Sequence, residues 1–365
     1  MNPTRRIRVL VVDDSAVVRR AIADALAADP ELEVVGTACD PYVARDKILE
    51  LNPDVLTLDI EMPRMDGLTF LRVLQQHRPL PVVIISSITQ NGSRAALEAL
   101  EAGAVDVLAK PTSAWSLGEL REQLAHHVKG AARARLAATA ITAPSVSGPT
   151  RPGVTARCDA RQLILIGAST GGTEAIKCVL TALPAGLPGI CIVQHIPPVF
   201  SKAFADRLNT CCAFEVREAR AGDEVRSGLA LIAPGDFHMS LERQAGRYRV
   251  CLDQSPPQHH TRPSVDVLFL SAASCAGAHT VSVLLTGMGA DGARGMQALK
   301  QAGGTTVAQN EETCIVYGMP RAAVELGIVD HVLPLEHIPV AILRAVNARS
   351  QTPARILGTP SPTLH

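Results

Sequence analysis

Residues 163–172 read LILIGASTGG, an apolar run that ends in a glycine-bracketed turn with Ser169 inside it. A short run of this kind, bounded by a turn signal, reads as a buried strand, and the TEAIKCVL that follows the turn reads as a helix. The chain must bend sharply from strand into helix with a hydroxyl at the apex, which is where α/β sheets expose a nucleophile.

Working outward, the runs RQLILIG, GICIVQH, AFEVREA, LALIAP, HTVSVLLTG, GTTVAQ and IVDHV alternate with helical stretches. FHMSLERQAGRYRVCLD reads instead as a hairpin around a Gln-Ala-Gly-Arg turn. Together they predict a mainly parallel, Rossmann-like α/β domain with a β-hairpin over 161–350. From residue 7, IRVLVV, LEVVGTA, DVLTLDI, PVVIISS and VDVLAK are each followed by an amphipathic stretch. Five such strand–helix units predict a doubly wound, five-stranded parallel sheet of flavodoxin-like type over 1–129. Residues 130–160 are rich in Ala, Thr, Pro, Ser and Gly and poor in large apolar groups, so they read as a linker; 351–365 (QTPARILGTPSPTLH) read as a disordered tail.

A chain of 365 residues accommodates two cores. Lys plus Arg and Asp plus Glu balance at 35 each, leaving no one-signed field to gather nucleic acid or an anionic membrane face. Nine scattered cysteines without a C-x-x-C pair argue against a disulfide framework and against a zinc site. No apolar run reaches the roughly 18 residues a bilayer span requires, and MNPTRRIRVL lacks a signal-peptide core. A cytoplasmic chain is expected, with no membrane insertion, no nucleic-acid partner and a monomer as the working state.

Asp13 and Asp14 end the first strand and Asp59 the third; a 2-1-3-4-5 sheet brings all three to one carboxyl edge. Carboxylates about 5 Å apart repel by roughly 3 kcal/mol per pair at an effective dielectric of about 20, so the cluster calls for a cation, and Mg²⁺ suits an all-oxygen site. Lys110 ends the fifth strand and is followed by Pro111, while Ser86 ends the fourth. Each of these alone is an ordinary cap, turn or strand end; their coincidence at the ends of four neighbouring strands points to function. The stretches VVDDS, LTLDIEMPRMDG, IISS and AKP resemble the receiver domain of two-component response regulators. The resemblance implies that Asp59 accepts a phosphoryl group from a histidine kinase. It implies Mg²⁺ held by Asp14, Asp59 and the Glu61 carbonyl, with Asp13 acting through water, and Ser86 and Lys110 reading the phosphate. Val107 departs from the pattern, since receivers often carry an aromatic ring three positions before that lysine.

A serine hydroxyl is a poor nucleophile until a base takes its proton and a third group orients the base. His195 closes GICIVQH and Asp291 lies in GMGADG after the HTVSVLLTG strand, so three parallel strands would deliver Ser169, His195 and Asp291 to one crevice. The order Ser, His, Asp differs from that of α/β-hydrolases. Backbone N–H groups of Thr170 and Met288 are candidate oxyanion donors. Taken singly, Ser169 is a helix cap, His195 a core-edge histidine and Asp291 an Asp-Gly turn residue. A dinucleotide site would need an acidic residue where Gln194 and His195 stand. A DNA-binding output would need a helix-turn-helix with clustered basic residues, and a non-catalytic module would tolerate any small residue at 169.

Taken with the receiver motifs, IGASTGGTEAI, VQHIPP, APGDFHMSL, RPSVDVLF, LLTGMGADGA and VYGMPRAA resemble the chemotaxis response-regulator protein-glutamate methylesterases, the CheB family. The resemblance implies Ser169 as nucleophile, His195 as general base and then acid, and Asp291 as orienter. It implies γ-glutamyl methyl esters on methyl-accepting chemotaxis receptors as substrate, with deamidation of receptor glutamines by the same route. His259 and His260, in QSPPQHHTRP, read as solvated side chains, and His238 as a neighbour of the crevice.

Overall fold

The computed structural model describes residues 5–87, 89–110, 117–134 and 161–350. Pro111, the linker beyond residue 134 and the 351–365 tail lie outside the described residues.

The first sheet is built from β1 (Ile7–Val12), β2 (Leu32–Ala38), β3 (Val55–Asp59), β4 (Val82–Ser86) and β5 (Asp106–Ala109). The helices are α1 (Ala16–Ala27), α2 (Pro41–Leu51), α3 (Gly67–His77), α4 (Gln90–Glu101) and α5 (Leu117–Ala132). All pairings are parallel and the order is β2-β1-β3-β4-β5, the order that carries Asp13, Asp14, Asp59, Ser86 and Lys110 to one edge. Helices cover both faces, which is why β3 and β4 are buried at every position. Helix starts follow local chemistry: Ser15, Asp40, Asp66 and Thr89 each accept from backbone amides of the first turn of α1 to α4.

The second sheet is parallel in the order β15-β14-β13-β6-β7-β10-β8. Its strands are β6 (Leu163–Ala168), β7 (Gly189–Gln194), β8 (Glu215–Glu218), β10 (Leu229–Ile232), β13 (Thr280–Leu284), β14 (Thr305–Gln309) and β15 (His331–Leu333). A separate antiparallel sheet joins β11 (His238–Gln244) and β12 (Arg247–Asp253), the expected hairpin, to β9 (Glu224–Val225), a strand too short for any periodicity to announce. The helices are α6 (Gly172–Thr181), α7 (Phe200–Cys211), α8 (Val265–Cys275), α9 (Ala293–Gln301), α10 (Met319–Glu325) and α11 (Ile338–Ser350). Strand order reverses at β6, so a crevice opens at the carboxyl ends of β6, β7 and β13.

The two domains share one apolar cluster, in which Ala96, Leu97 and Leu100 of α4 join Phe200 and Phe204 of α7. Each large side chain so buried contributes on the order of 1.5–3 kcal/mol. Glu101, at the end of α4, pairs with both Lys177 of α6 and Arg207 of α7. Among the described residues no helix is long and apolar enough to cross a membrane.

Candidate active site

β6 ends at Ala168 and α6 begins at Gly172, so Ser169 stands on the bend. Gly171 has φ +75°, and a Cβ there would lie 2.7 Å from Ile315, so the turn needs glycine on both counts. The Ser169 amide donates to the Thr286 carbonyl at 3.0 Å, which fastens the bend to the loop after β13. Gln194, the last residue of β7, donates through Nε2 to the Ser169 carbonyl at 2.9 Å. Sequence reasoning treated Gln194 only as the place of a missing acid; nothing in a strand-end glutamine signals this tie.

His195 follows β7, and its Nδ1 lies 3.1 Å from Ser169 Oγ while its Nε2 lies 2.8 Å from Asp291 Oδ2. Asp291 also accepts from Ser264 Oγ at 2.8 Å and from the amides of Val265 and Asp266 at 2.7 and 2.9 Å, so it caps α8 from outside that helix. Burial opposes its charge, but the His195 hydrogen bond and charge and the two amides outweigh burial and push its pKa down to about 2. An ionised Asp291 accepts only, so Nε2 carries the ring proton and Nδ1 turns its lone pair to Ser169. Which nitrogen faces the serine was not legible from sequence. Ser169 and Asp291 are each 1% exposed and His195 7%. Among the described residues neither the Thr170 nor the Met288 amide has an acceptor, which leaves both expected oxyanion donors unspent.

The receiver packs against this crevice. Asp106 of β5, buried, accepts from Thr170 Oγ1 at 2.9 Å and pairs with His127 of α5 at 2.8 Å. Burial works against ionisation of Asp106, but His127, the Val107 amide and the Thr170 hydroxyl hold its pKa below the usual carboxylate value. Gly130 of α5 sits so near the turn that holds Ser169 that a Cβ there would lie 3.2 Å from Met288 Sδ and 3.4 Å from Thr170 Oγ1. His126 lies beside Gly289, and burial, then the neighbouring His127 and His195, push its pKa down to about 3. On the receiver side, Asp106, His126 and His127 are not singled out by the sequence, because each belongs to an ordinary strand or helix pattern, and Gly130 reads there as the start of the linker although it lies in α5.

At the other edge, carboxylate oxygens of Asp13, Asp14 and Asp59 lie within 4.8 Å of one another. Lys110 Nζ is 2.6 Å from Asp59 Oδ2 and 3.1 Å from Asp13 Oδ2. Burial, the largest influence, and the Asp13 charge push the Asp59 pKa up to about 6 against the pull of Lys110. Asp13 and Asp59 are each 1% exposed. Clustered, buried, acceptor-only oxygens beside a single ammonium are a donor set that fits a hard divalent cation. The Glu61 amide donates to Asp59 Oδ1 at 3.1 Å. Ser86 is not brought to Asp59 by any hydrogen bond; its hydroxyl donates to the Gly92 carbonyl at 3.2 Å. Val107 is buried in β5.

His259 and His260 are both exposed, as expected, and each also has a carboxylate partner: His259 Nε2 pairs with Asp266 at 3.0 Å and His260 Nδ1 with Glu122 of α5 at 3.0 Å. His238 is fully buried, with Nε2 3.2 Å from the Pro256 carbonyl.

Residues 164–342 match the family described as CheB methylesterase, and residues 9–123 match that described as response regulator receiver domain. A protein-glutamate methylesterase/protein-glutamine glutaminase 2 of Syntrophus aciditrophicus (strain SB) is 51% identical over 348 residues, covering 93% of this chain and 99% of that one. A protein-glutamate methylesterase/protein-glutamine glutaminase 4 of Anaeromyxobacter dehalogenans (strain 2CP-C) is 52% identical over 343 residues, covering 93% and 95%. The crystal structure of the Thermotoga maritima CheB methylesterase catalytic domain is 41% identical, with a TM-score of 0.49, and covers 50% of this chain and 97% of that one. At this identity, over nearly the full length of both relatives, the chain belongs to the CheB family of receiver-bearing protein-glutamate methylesterases.

Proposed function

We propose that this chain is a phosphorylation-activated protein-glutamate methylesterase acting on chemoreceptors in the cytoplasm, through Ser169, His195 and Asp291. The observation that carries the reading is the unbroken line from Ser169 Oγ through His195 to Asp291, with contacts of 3.1 and 2.8 Å. His195 Nδ1 takes the Ser169 proton as Oγ attacks the γ-carbonyl, while Asp291 steadies the imidazolium. The oxyanion meets the amides of Thr170 and Met288. As the tetrahedral intermediate collapses, His195 gives the proton to the leaving methoxy oxygen, which departs as methanol, or to the leaving amide nitrogen, which departs as ammonia when the substrate is a glutamine. Water, deprotonated by the same nitrogen, hydrolyses the acyl-enzyme to glutamate and restores the serine.

Regulation in this reading divides the chain into a receiver over 1–129 and a hydrolytic domain over 161–350, with 130–160 joining them and 351–365 beyond. Asp59 takes the phosphoryl group from a chemotaxis histidine kinase, and Ser86 and Lys110 read it. Asp13, Asp14, Asp59 and the Glu61 carbonyl would hold Mg²⁺, which when bound supplies positive charge against the phosphoryl oxygens. The closed packing of Gly130 and Asp106 over Thr170 supports occlusion as the resting state, which phosphorylation shifts toward open. The test is methanol release from methylated receptor fragments, with and without a small phosphodonor, by the full chain and by a 155–365 fragment. The donor should speed the full chain and leave the fragment alone; a fragment no faster than the unphosphorylated whole refutes occlusion.

A further inference from the structure

The loop before α8 places a second oxygen on the catalytic ring. Thr261 Oγ1 lies 3.3 Å from His195 Nε2, beside Asp291 Oδ2 at 2.8 Å. The threonine proton is already committed, since Oγ1 donates to the Gln258 carbonyl at 3.0 Å. A lone pair therefore faces the ring, and the Nε2–H is shared between a carboxylate and a hydroxyl.

The turn that presents this oxygen is held in an uncommon shape. Gln258 and Thr261 exchange backbone hydrogen bonds at 3.1 and 2.9 Å, and between them His259 and His260 both take left-handed conformations, at φ 51° and 64°. Tight turns with two such central residues favour Asn and Gly, so a His-His pair there persists only where its surroundings impose it. Three ties do so. His259 is fastened to Asp266, whose other oxygen accepts from the Gly295 amide at 2.7 Å. His260 reaches Glu122. Arg262 binds Asp236 and the carbonyls of Gln254 and Ser255.

We infer that Thr261 is a positioning residue, acting through His195: it fixes the ring against rotation and accepts part of the Nε2–H charge when His195 holds the Ser169 proton. This rests on the proposed roles of Ser169, His195 and Asp291, and adds a fourth side chain to them.

The test uses the full chain, saturated with a small phosphodonor, and compares Thr261→Val, Thr261→Ser and Ser169→Ala. Thr261→Val keeps the shape and removes the acceptor, so kcat should fall about tenfold with KM unchanged. The acid limb of kcat/KM should move to lower pH, because an imidazolium with one acceptor fewer releases its proton more readily. Labelling of Ser169 by a fluorophosphonate should slow in step, and Thr261→Ser should recover most of each effect. If Thr261→Val folds poorly, Thr261→Ala against Thr261→Ser reads the same hydroxyl. A kcat within twofold of the parent, or a fall with an unmoved pH profile and no recovery by serine, overturns the inference. Turnover by Ser169→Ala would instead sink the underlying mechanism, so the two failures are distinct.

Discussion

Two carboxylates, Asp59 and Asp291, are equally buried at 1% exposure, yet their acidities lie about four units apart. Asp291 faces donors on every side: His195, the Ser264 hydroxyl and two amides at the start of α8. Asp59 has Lys110 and one amide, and it also faces Asp13. Burial is the largest influence on both and pushes both up, and the balance of donors against like charges decides whether it prevails, as at Asp59, or is overcome, as at Asp291. The Ser169–His195–Asp291 cluster is thus assembled in advance, whereas the receiver pocket holds an unbalanced charge that a cation and a phosphoryl group would alter.

The sharpest way to break this contrast is to edit each side separately. Ser169→Ala should lower methanol release by about 10⁶ while leaving phosphorylation of Asp59 intact, read by methanol assay and by radiolabel from a phosphodonor. Asp291→Asn should cost about 10⁴, since an amide no longer dictates which ring nitrogen carries the proton. Near-parent turnover in either variant removes the proposed mechanism.

Next in size is the acid and base behaviour of stability. The folded-state pKa of Asp291 is depressed, so its contribution is complete above the ordinary value of 3.8 and is lost as pH falls from there toward 2. That of Asp59 is raised, so the sign reverses: its cost is absent below 3.8 and grows as pH rises toward 6. Each is worth about 2–3 kcal/mol. Urea unfolding between pH 2 and 7 should show Asp59→Asn stabilising the parent near neutrality, with Mg²⁺ doing the same for the unsubstituted chain. A variant no more stable than the parent at pH 7 would show that Asp59 is not strained by its neighbours.

Much of this was legible in the sequence because polar residues at strand ends interrupt an apolar pattern that fixes their edge of the sheet. Asp13, Asp59 and Lys110 meet for that reason, and so do Ser169 and His195. The rest depended on contacts between elements remote in sequence. Asp106 sits in a strand reading VDVLA, and Gly130 reads as the first residue of the linker although it lies in the last turn of α5, so neither advertises the domain it touches. His259 and His260 carry no pattern at all; only the fold shows that their turn is left-handed and tied down. Ser86 reads as a pocket residue by position, but its hydroxyl is turned to Gly92.

The domain boundary offers a smaller effect. Gly130→Leu drives a side chain into the contact with Met288 and Thr170, where a single Cβ already stands at 3.2 and 3.4 Å. Methanol release without phosphodonor should rise about tenfold, with little change once the donor is present. An unchanged basal rate would mean that closure does not depend on this contact.

The smallest expected effect concerns the ring beside it. His126 Nε2 is buried with no hydrogen-bond partner among the described residues; burial first, then His127, His195 and His260, disfavour its protonation, with Asp106 acting the other way. Its pKa in the closed packing, about 3, lies below the ordinary 6.5, so closure is undiminished above 6.5 and weakens as pH falls from there toward 3. One pH unit below 6.5, opening is favoured by about tenfold relative to neutral pH. Small-angle scattering of the full chain should register a larger radius of gyration at pH 5.5 than at pH 7.5. His126→Phe, neutral at every pH, should flatten that difference. If the phenylalanine variant expands as the parent does, proton uptake elsewhere separates the domains, and the contrast between a preassembled crevice and an adjustable receiver must be drawn at another residue.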